Sequence, residues 1–152
     1  MIEGNDEMMK RMVVGFMFVG EQVVLIQKNR PEWQKGLFNG VSGHVEPNES
    51  ALDAMVREFE EEAGVKTEPR EWDDFAVIEG GEGNTAVHFF SASRDTCAIR
   101  TMTDESVGFY SYDPFPVPVV SDLKWLVPLA RVSRWYLRLP IKVVSIRSEP
   151  KI

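Results

Sequence analysis

Glu58, Glu61 and Glu62 stand at i, i+3 and i+4. In a helix that spacing stacks three carboxylates on one side, where like charges repel. A cation held between them would relieve the repulsion. Three oxygen donors from one turn suit a hard ion, Mg²⁺ or Mn²⁺, which keeps waters and bridges carboxylates to substrate phosphates. Such an ion polarises a phosphoryl oxygen and acidifies a water. A neighbouring carboxylate can take that water's proton. The grouping therefore suits hydrolysis of a phosphoanhydride. The alternative is a solvated acidic helix face, which is common.

The element that must carry these residues is a helix beginning near Ser50. Ser50 is an N-cap candidate, with Asp53 three residues on approximating a capping box. Leu52, Met55, Val56, Phe59 and Ala63 recur at helical spacing as one apolar stripe, and Gly64 is a natural stop. At about 100° per residue the three glutamates centre roughly 125° from that stripe, flanking the core face without pointing into it. Ala51 and Ala54 lie on the carboxylate side, which would leave open space there. Around this helix the chain reads as strands. Residues 12–19 and 23–27 form a hairpin turned at Gly20-Glu21. Residues 28–35 are a loop and residues 37–45 are extended. Strands over 72–79 and 85–91 flank the turn signal GGEGN, and residues 107–112 form another. A second helix over 123–139 is expected to begin near Pro128 and to end at Pro140. An edge strand follows over 141–146. The fold class is α/β (α+β), a mixed sheet in a sandwich of layers. Residues 1–10 read as a frayed leader and 11–152 as one domain.

Composition narrows the partners. The net charge of −7 disfavours broad contact with a nucleic acid polymer, whose phosphates are bound by basic residues. It leaves room for a small anionic ligand, because a bound metal reverses the local sign. The single cysteine, Cys97, allows no intrachain disulfide framework and fits a reducing compartment. No apolar run approaches the ~20 residues needed to cross a bilayer. The N-terminus lacks a signal peptide's basic start and apolar centre. The expectation is a cytoplasmic protein with no membrane partner, monomeric or homodimeric.

The surrounding spacing is more specific than the three glutamates. Residues 43–65, GHVEPNESALDAMVREFEEEAGV, match the Nudix box, G-x5-E-x7-R-E-U-x-E-E-x-G-U with U apolar. With usage near ~7% per residue type, its seven fixed positions recur by chance on the order of 10⁻⁸ per window. The chain resembles the Nudix hydrolase family and its MutT-like pyrophosphohydrolases. The resemblance implies an α/β/α sandwich with a mixed sheet and a loop–helix–loop box. It also implies cleavage of a nucleoside diphosphate linked to another moiety, with a divalent cation.

By position, Glu58, Glu61 and Glu62 resemble the family's metal-binding glutamates, and Glu58 also resembles the general base of some members. Gly43 lies beside the backbone carbonyl that often completes the metal shell. Glu49 and Arg57 resemble the ion pair that braces the box and orients the catalytic glutamate. The segment GLFNGVSGHVE (36–46) is similar to MutT-type nucleoside triphosphate pyrophosphatases, where an Asn at the position of Asn39 reads the base. A side-chain amide offers a donor and an acceptor to a purine edge; alternatively, Asn39 tolerates a left-handed backbone before Gly40. Ser42 departs from the second glycine of many members. Glu105 aligns with an additional glutamate, a further ligand or base. Lys28 stands where members place a phosphate-facing cation, or is a solvated surface lysine. Trp33, Phe38 and Tyr110 are candidates to stack a base, and His44 and His88 read as structural. Asp122 to Trp125 resembles the segment near the base pocket of 8-oxo-dGTP-type members, but Val119-Val120-Ser121 replaces their extra acidic residue and Trp. The expected substrate is a nucleoside triphosphate, released as monophosphate and pyrophosphate. ADP-ribose, a nucleotide sugar or a dinucleoside polyphosphate is the alternative. A nucleotide-sensing module that does not cleave is the reading of another class.

Overall fold

Alternation along the first strand decides the layering. Val13 and Met17 enter one core, whereas Val14, Phe16 and Phe18 enter another. Because successive side chains leave a strand on opposite faces, the sheet is covered on both sides. The computed structural model describes residues 9–80, 84–136 and 140–145. Among these, β1 (Lys10–Val19), β2 (Gln22–Gln27), β3 (Phe38–Asn39), β4 (Val41–His44), β5 (Asp73–Gly80), β6 (Thr85–Arg94), β7 (Val107–Ser111) and β8 (Ile141–Ser145) form one eight-stranded mixed sheet. The β1–β6 and β5–β8 pairs are parallel and the other strand pairs antiparallel. Helices α1 (Ala51–Ala63) and α2 (Leu123–Tyr136) cover the two faces. The layered architecture is the α/β/α sandwich expected.

Helix α1 forms where its signals lie. Ser50 is extended (φ −77°, ψ 158°) and its side chain accepts from the Asp53 N–H at 3.0 Å, a cap whose loss costs about 1 kcal/mol. Gly64 closes the helix in the left-handed conformation (φ 74°) and donates to Glu60 O. Met55, Phe59 and Ala63 pack with Val13, Met17 and Trp72, and the Phe59 and Trp72 rings meet edge-on at 5.3 Å. Two expectations fail here. Ala51 and Ala54 are buried in this core, because their small side chains let the helix lie close on the sheet. Glu58 is also buried, covered by a strand that helical periodicity cannot register.

Helix α2 begins at Leu123 rather than near Pro128, which lies inside it. Leu123, Leu126, Val127 and Ala130 fill the second core with Phe16, Leu25 and Phe75. That stripe requires helical backbone before the proline. Asp122 starts the helix: its carbonyl accepts from the Leu126 N–H at 2.9 Å and its Oδ1 accepts from Trp125 Nε1 at 3.0 Å. Residues 137–139 and 146, and residues 1–8 of the expected leader, lie outside the described residues. Lys10 belongs to β1. Among the described residues no helix is long and apolar enough to cross a membrane.

The turn before β5 is clamped to the end of β6. Arg94 donates from Nε and Nη2 to the two Glu71 carboxylate oxygens at 2.8 and 2.9 Å. Mainly through these hydrogen bonds, Arg94 holds the Glu71 carboxyl down to about 2. A depressed folded value stabilises above the ordinary carboxylate range and is lost as pH falls toward 2. Glu71→Gln is expected to lower stability at pH 7 by about 1 kcal/mol, after allowance for solvent screening. The gap to the parent should narrow below pH ~4.5, as read by urea unfolding from pH 7 to pH 3.

Candidate active site

Strands β1 and β2 pair only beside their turn, at Phe18–Val23 and Val19–Gln22. Beyond it β3 pairs with β2 and β4 pairs with β1, so residues 38–44 occupy the gap where the hairpin splays. Gly40 crosses at the apex: a Cβ there would stand 2.6 Å from Gly15 O and 2.8 Å from the Phe16 ring. Gly43 matters for a second reason. A Cβ at Gly43 would collide with the Glu58 carboxylate. The strand backbone and the carboxylate are thus face to face, which explains how an acidic side chain on α1 becomes buried.

Arg57 holds this arrangement. Its Nε and Nη2 donate to the two oxygens of Glu49 at 2.8 and 2.9 Å, and Nη2 also donates to His44 O at 2.9 Å. Nη1 donates to Glu58 Oε2 at 2.9 Å and to Glu61 Oε1 at 3.3 Å. Glu49 Oε1 in turn accepts from the Glu46 N–H at 2.9 Å. The guanidinium therefore lies between Glu58 and Glu61, where spacing alone calls for a positive charge. Its hydrogen bond to Glu49 raises the Arg57 pKa further and lowers that of Glu49. Burial dominates at Glu58, pushing its carboxyl up to about 7 despite the opposing Arg57.

Glu62 is half-buried on the other side of the same turn. Desolvation raises its pKa first, then the negative charge of Glu105; Lys28 acts in the opposite sense. Thr103 Oγ1 donates to Glu62 Oε1 at 3.4 Å. Lys28 is buried, so it is not a solvated surface lysine. Its Nζ donates to Ser42 Oγ and to Glu105 Oε1, each at 3.3 Å. Glu105 is buried too, and its Oε2 accepts from the backbone N–H groups of Asn29 at 2.6 Å and Arg30 at 3.3 Å. Asp104 pairs with Arg30 at 2.6 Å. Asn29, Arg30, Thr103 and Asp104 carry no signal of their own in the sequence, and Ser42 registers there only as a departure from the family's second glycine.

At the far end of the gap, Asn39 is buried with its amide engaged: Oδ1 accepts from the Gly40 N–H at 2.8 Å and Nδ2 donates to Gln34 Oε1 at 3.2 Å. Its backbone is not left-handed; the non-glycine residues with positive φ are Asn48 and Asn84 among those described. Phe38 departs from its expected role as a stacking platform. Its ring is buried in the second core, edge-on to Tyr110 at 5.1 Å, so it supports the floor. A groove of about 520 Å³ beside it offers Tyr112 and Phe115 instead. His88 contacts Asp74 at 3.4 Å, and His44 contributes its carbonyl to Arg57, in keeping with structural roles.

The donor set suits a hard divalent cation in kind: four carboxylates, of Glu58, Glu61, Glu62 and Glu105, meet the buried amine of Lys28 and one guanidinium. Burial first, and then mutual repulsion, raise two of those carboxylates, disfavouring their charged forms. They are not drawn into one cage. Among the described residues no three acidic, imidazole or thiol groups are placed to hold an ion.

The NUDIX domain family model matches residues 9–126. A human protein described as 8-oxo-dGDP phosphatase NUDT18 is 31% identical over 138 residues, covering 85% of this chain and 41% of that protein. The chain thus spans about two fifths of that relative's length. A NUDIX hydrolase from Nitrosomonas europaea superposes with a TM-score of 0.66 at 18% identity, covering 91% of this chain and 79% of that one. The NUDIX domain of Shewanella oneidensis NrtR, crystallised with ADP ribose, gives 0.66 at 17% identity over 82% and 86%.

Removing the guanidinium leaves Glu49 and the buried Glu58 without their partner. Arg57→Met is expected to destabilise the chain by about 2 to 3 kcal/mol, measured by urea unfolding at pH 7. Arg57→Lys, which keeps charge but not the fork, should recover only part of that loss.

Proposed function

This chain belongs to the Nudix family, and we propose that it is a divalent-cation-dependent pyrophosphohydrolase acting on a nucleoside triphosphate, with release of monophosphate and pyrophosphate. One observation carries the reading: a buried carboxylate, Glu58, held by Arg57 against a glycine strand, on the helical turn that also presents Glu61 and Glu62. A divalent cation such as Mg²⁺, once bound, supplies charge screening for the diphosphate and a more acidic water. Glu58, Glu61 and Glu62, with the backbone carbonyl beside Gly43, would hold it. Glu58 is the proton acceptor in this reading: Arg57 fixes its carboxylate at 2.9 Å, and a positioned carboxylate beside the acidified water can take its proton. Arg57 orients it, and Glu49 orients Arg57. Lys28 sets a positive charge beside Glu105 and faces the substrate's phosphates. Asn39 faces the base.

The relative described as an 8-oxo-dGDP phosphatase supports a second reading, an oxidised purine nucleoside diphosphate. The phosphoanhydride is common to both substrates, so the same carboxylate turn serves either.

The test is a nucleotide panel of dGTP, 8-oxo-dGTP, dGDP, 8-oxo-dGDP, ADP-ribose and a dinucleoside polyphosphate, with and without Mg²⁺, with products separated by chromatography. Cleavage of a triphosphate to monophosphate and pyrophosphate is expected, and chelation should abolish it. Binding with no metal-dependent product would overturn the enzymatic reading in favour of a sensor. Glu58→Gln and Glu62→Gln should each lower kcat/KM by a factor of 10² or more, with unchanged circular dichroism.

A further inference from the structure

The ladder between β2 and β7 ends at Ile26 opposite Val107, and one further backbone bond follows, from Gln27 N to Ser106 O at 2.8 Å. Beyond it side chains take over from backbone. Glu105 Oε2 accepts from the N–H groups of Asn29 at 2.6 Å and Arg30 at 3.3 Å. Asn29 Nδ2 donates back to Asp104 O at 2.8 Å. Glu105 Oε1 accepts from Lys28 Nζ at 3.3 Å, and the two side chains are only 4% and 11% exposed.

Both oxygens of Glu105 are therefore engaged by donors of this chain. Backbone N–H groups beyond the end of a ladder need another acceptor. Withdrawing the carboxylate would strip two of them, and an enclosed ammonium, of their charged partner, which is a costly state. A divalent ion drawn to Oε1 would share that oxygen with the Lys28 ammonium, and like charges so close repel. Glu105 thus differs from Glu58, Glu61 and Glu62, which no lysine contacts among the described residues.

The loop so pinned reaches the acidic turn. The Glu105 N–H donates to Thr103 Oγ1 at 3.1 Å, which leaves the hydroxyl proton to face Glu62 Oε1 at 3.4 Å. On the other side Lys28 Nζ also donates to Ser42 Oγ, on β4, at 3.3 Å.

We propose that Glu105 is a positioning residue outside the ion's shell: its carboxylate latches residues 103–105 to the end of β2 and so holds Thr103 and Lys28 beside the glutamate turn. It acts through those two side chains. That Glu105 stays out of the shell rests on the proposed ligands Glu58, Glu61 and Glu62, whereas the latch stands without them.

Amide hydrogen exchange in the metal-free chain reads the latch, and Mn²⁺ titration followed by water-proton relaxation reads the shell. Glu105→Ala removes the acceptor. Exchange at Asn29 and Arg30 should quicken by about tenfold or more while β1 amides stay protected, and Mn²⁺ affinity should fall by about tenfold as Thr103 and Lys28 lose their places. Glu105→Ser serves if Glu105→Ala fails to fold. Glu105→Gln keeps an oxygen for the two N–H groups. It should restore their protection and bring Mn²⁺ affinity within about threefold of the parent, whereas Glu62→Gln should stay weaker by about tenfold or more. Unchanged exchange in Glu105→Ala and Glu105→Ser overturns the latch, and unchanged Mn²⁺ affinity there overturns its hold on the turn. Glu105→Gln with protection restored but affinity as low as in Glu62→Gln makes Glu105 a ligand and overturns the proposal. Should Glu62→Gln bind Mn²⁺ like the parent, the proposed ligand set fails, and exchange alone decides the latch.

Discussion

The guanidinium of Arg57 is the contact on which the site depends. It joins three pieces of chain: the loop at Glu46 and Glu49, strand β4 through His44 O, and the turn of α1 bearing Glu58 and Glu61. A planar fork with five N–H donors can meet two carboxylates and a carbonyl together; an ammonium cannot reproduce that geometry. A single exposed ion pair is worth about 0–1 kcal/mol. Here the side chains of Arg57, Glu49 and Glu58 are only 25%, 16% and 11% exposed, so the pairing acts with less solvent between the charges.

Two opposed forces meet at Glu58. Burial beneath β4 disfavours its charge, and Arg57 favours it; burial has the larger effect. The glycine at position 43 makes that burial possible by leaving space for the carboxylate. Across the turn burial again raises Glu62 most, but the charges beside it differ: repulsion from Glu105 and attraction to Lys28. Neighbouring carboxylates on one turn thus have distinct environments, the condition under which one can take a proton while another stays ionised.

Much of this was legible in the sequence. The caps of α1, its apolar stripe and the alternation along β1 are local signals, and the fold follows them. The brace between Glu49 and Arg57 was implied by the resemblance, and the geometry matches it. What was not legible depends on distant chain. Helical arithmetic places Glu58 off the core stripe, yet β4 lies over it. Lys28 reads as a surface lysine because lysine is rarely buried, and its partner Glu105 is 77 residues away. The start of α2 was displaced because a proline signal outweighed the demand of the second core for Leu123 and Leu126. Phe38 reads as a platform by type, but its place on β3 turns the ring inward.

In the proposed reaction a divalent ion and a nucleotide diphosphate meet at the acidic turn braced by Arg57. Titration with Mn²⁺, followed by water-proton relaxation, tests it most directly. Binding is expected to tighten when nucleotide is added and to weaken at least tenfold when the glutamates of the turn are replaced by glutamine. Manganese affinity indifferent to those replacements and to nucleotide would contradict it.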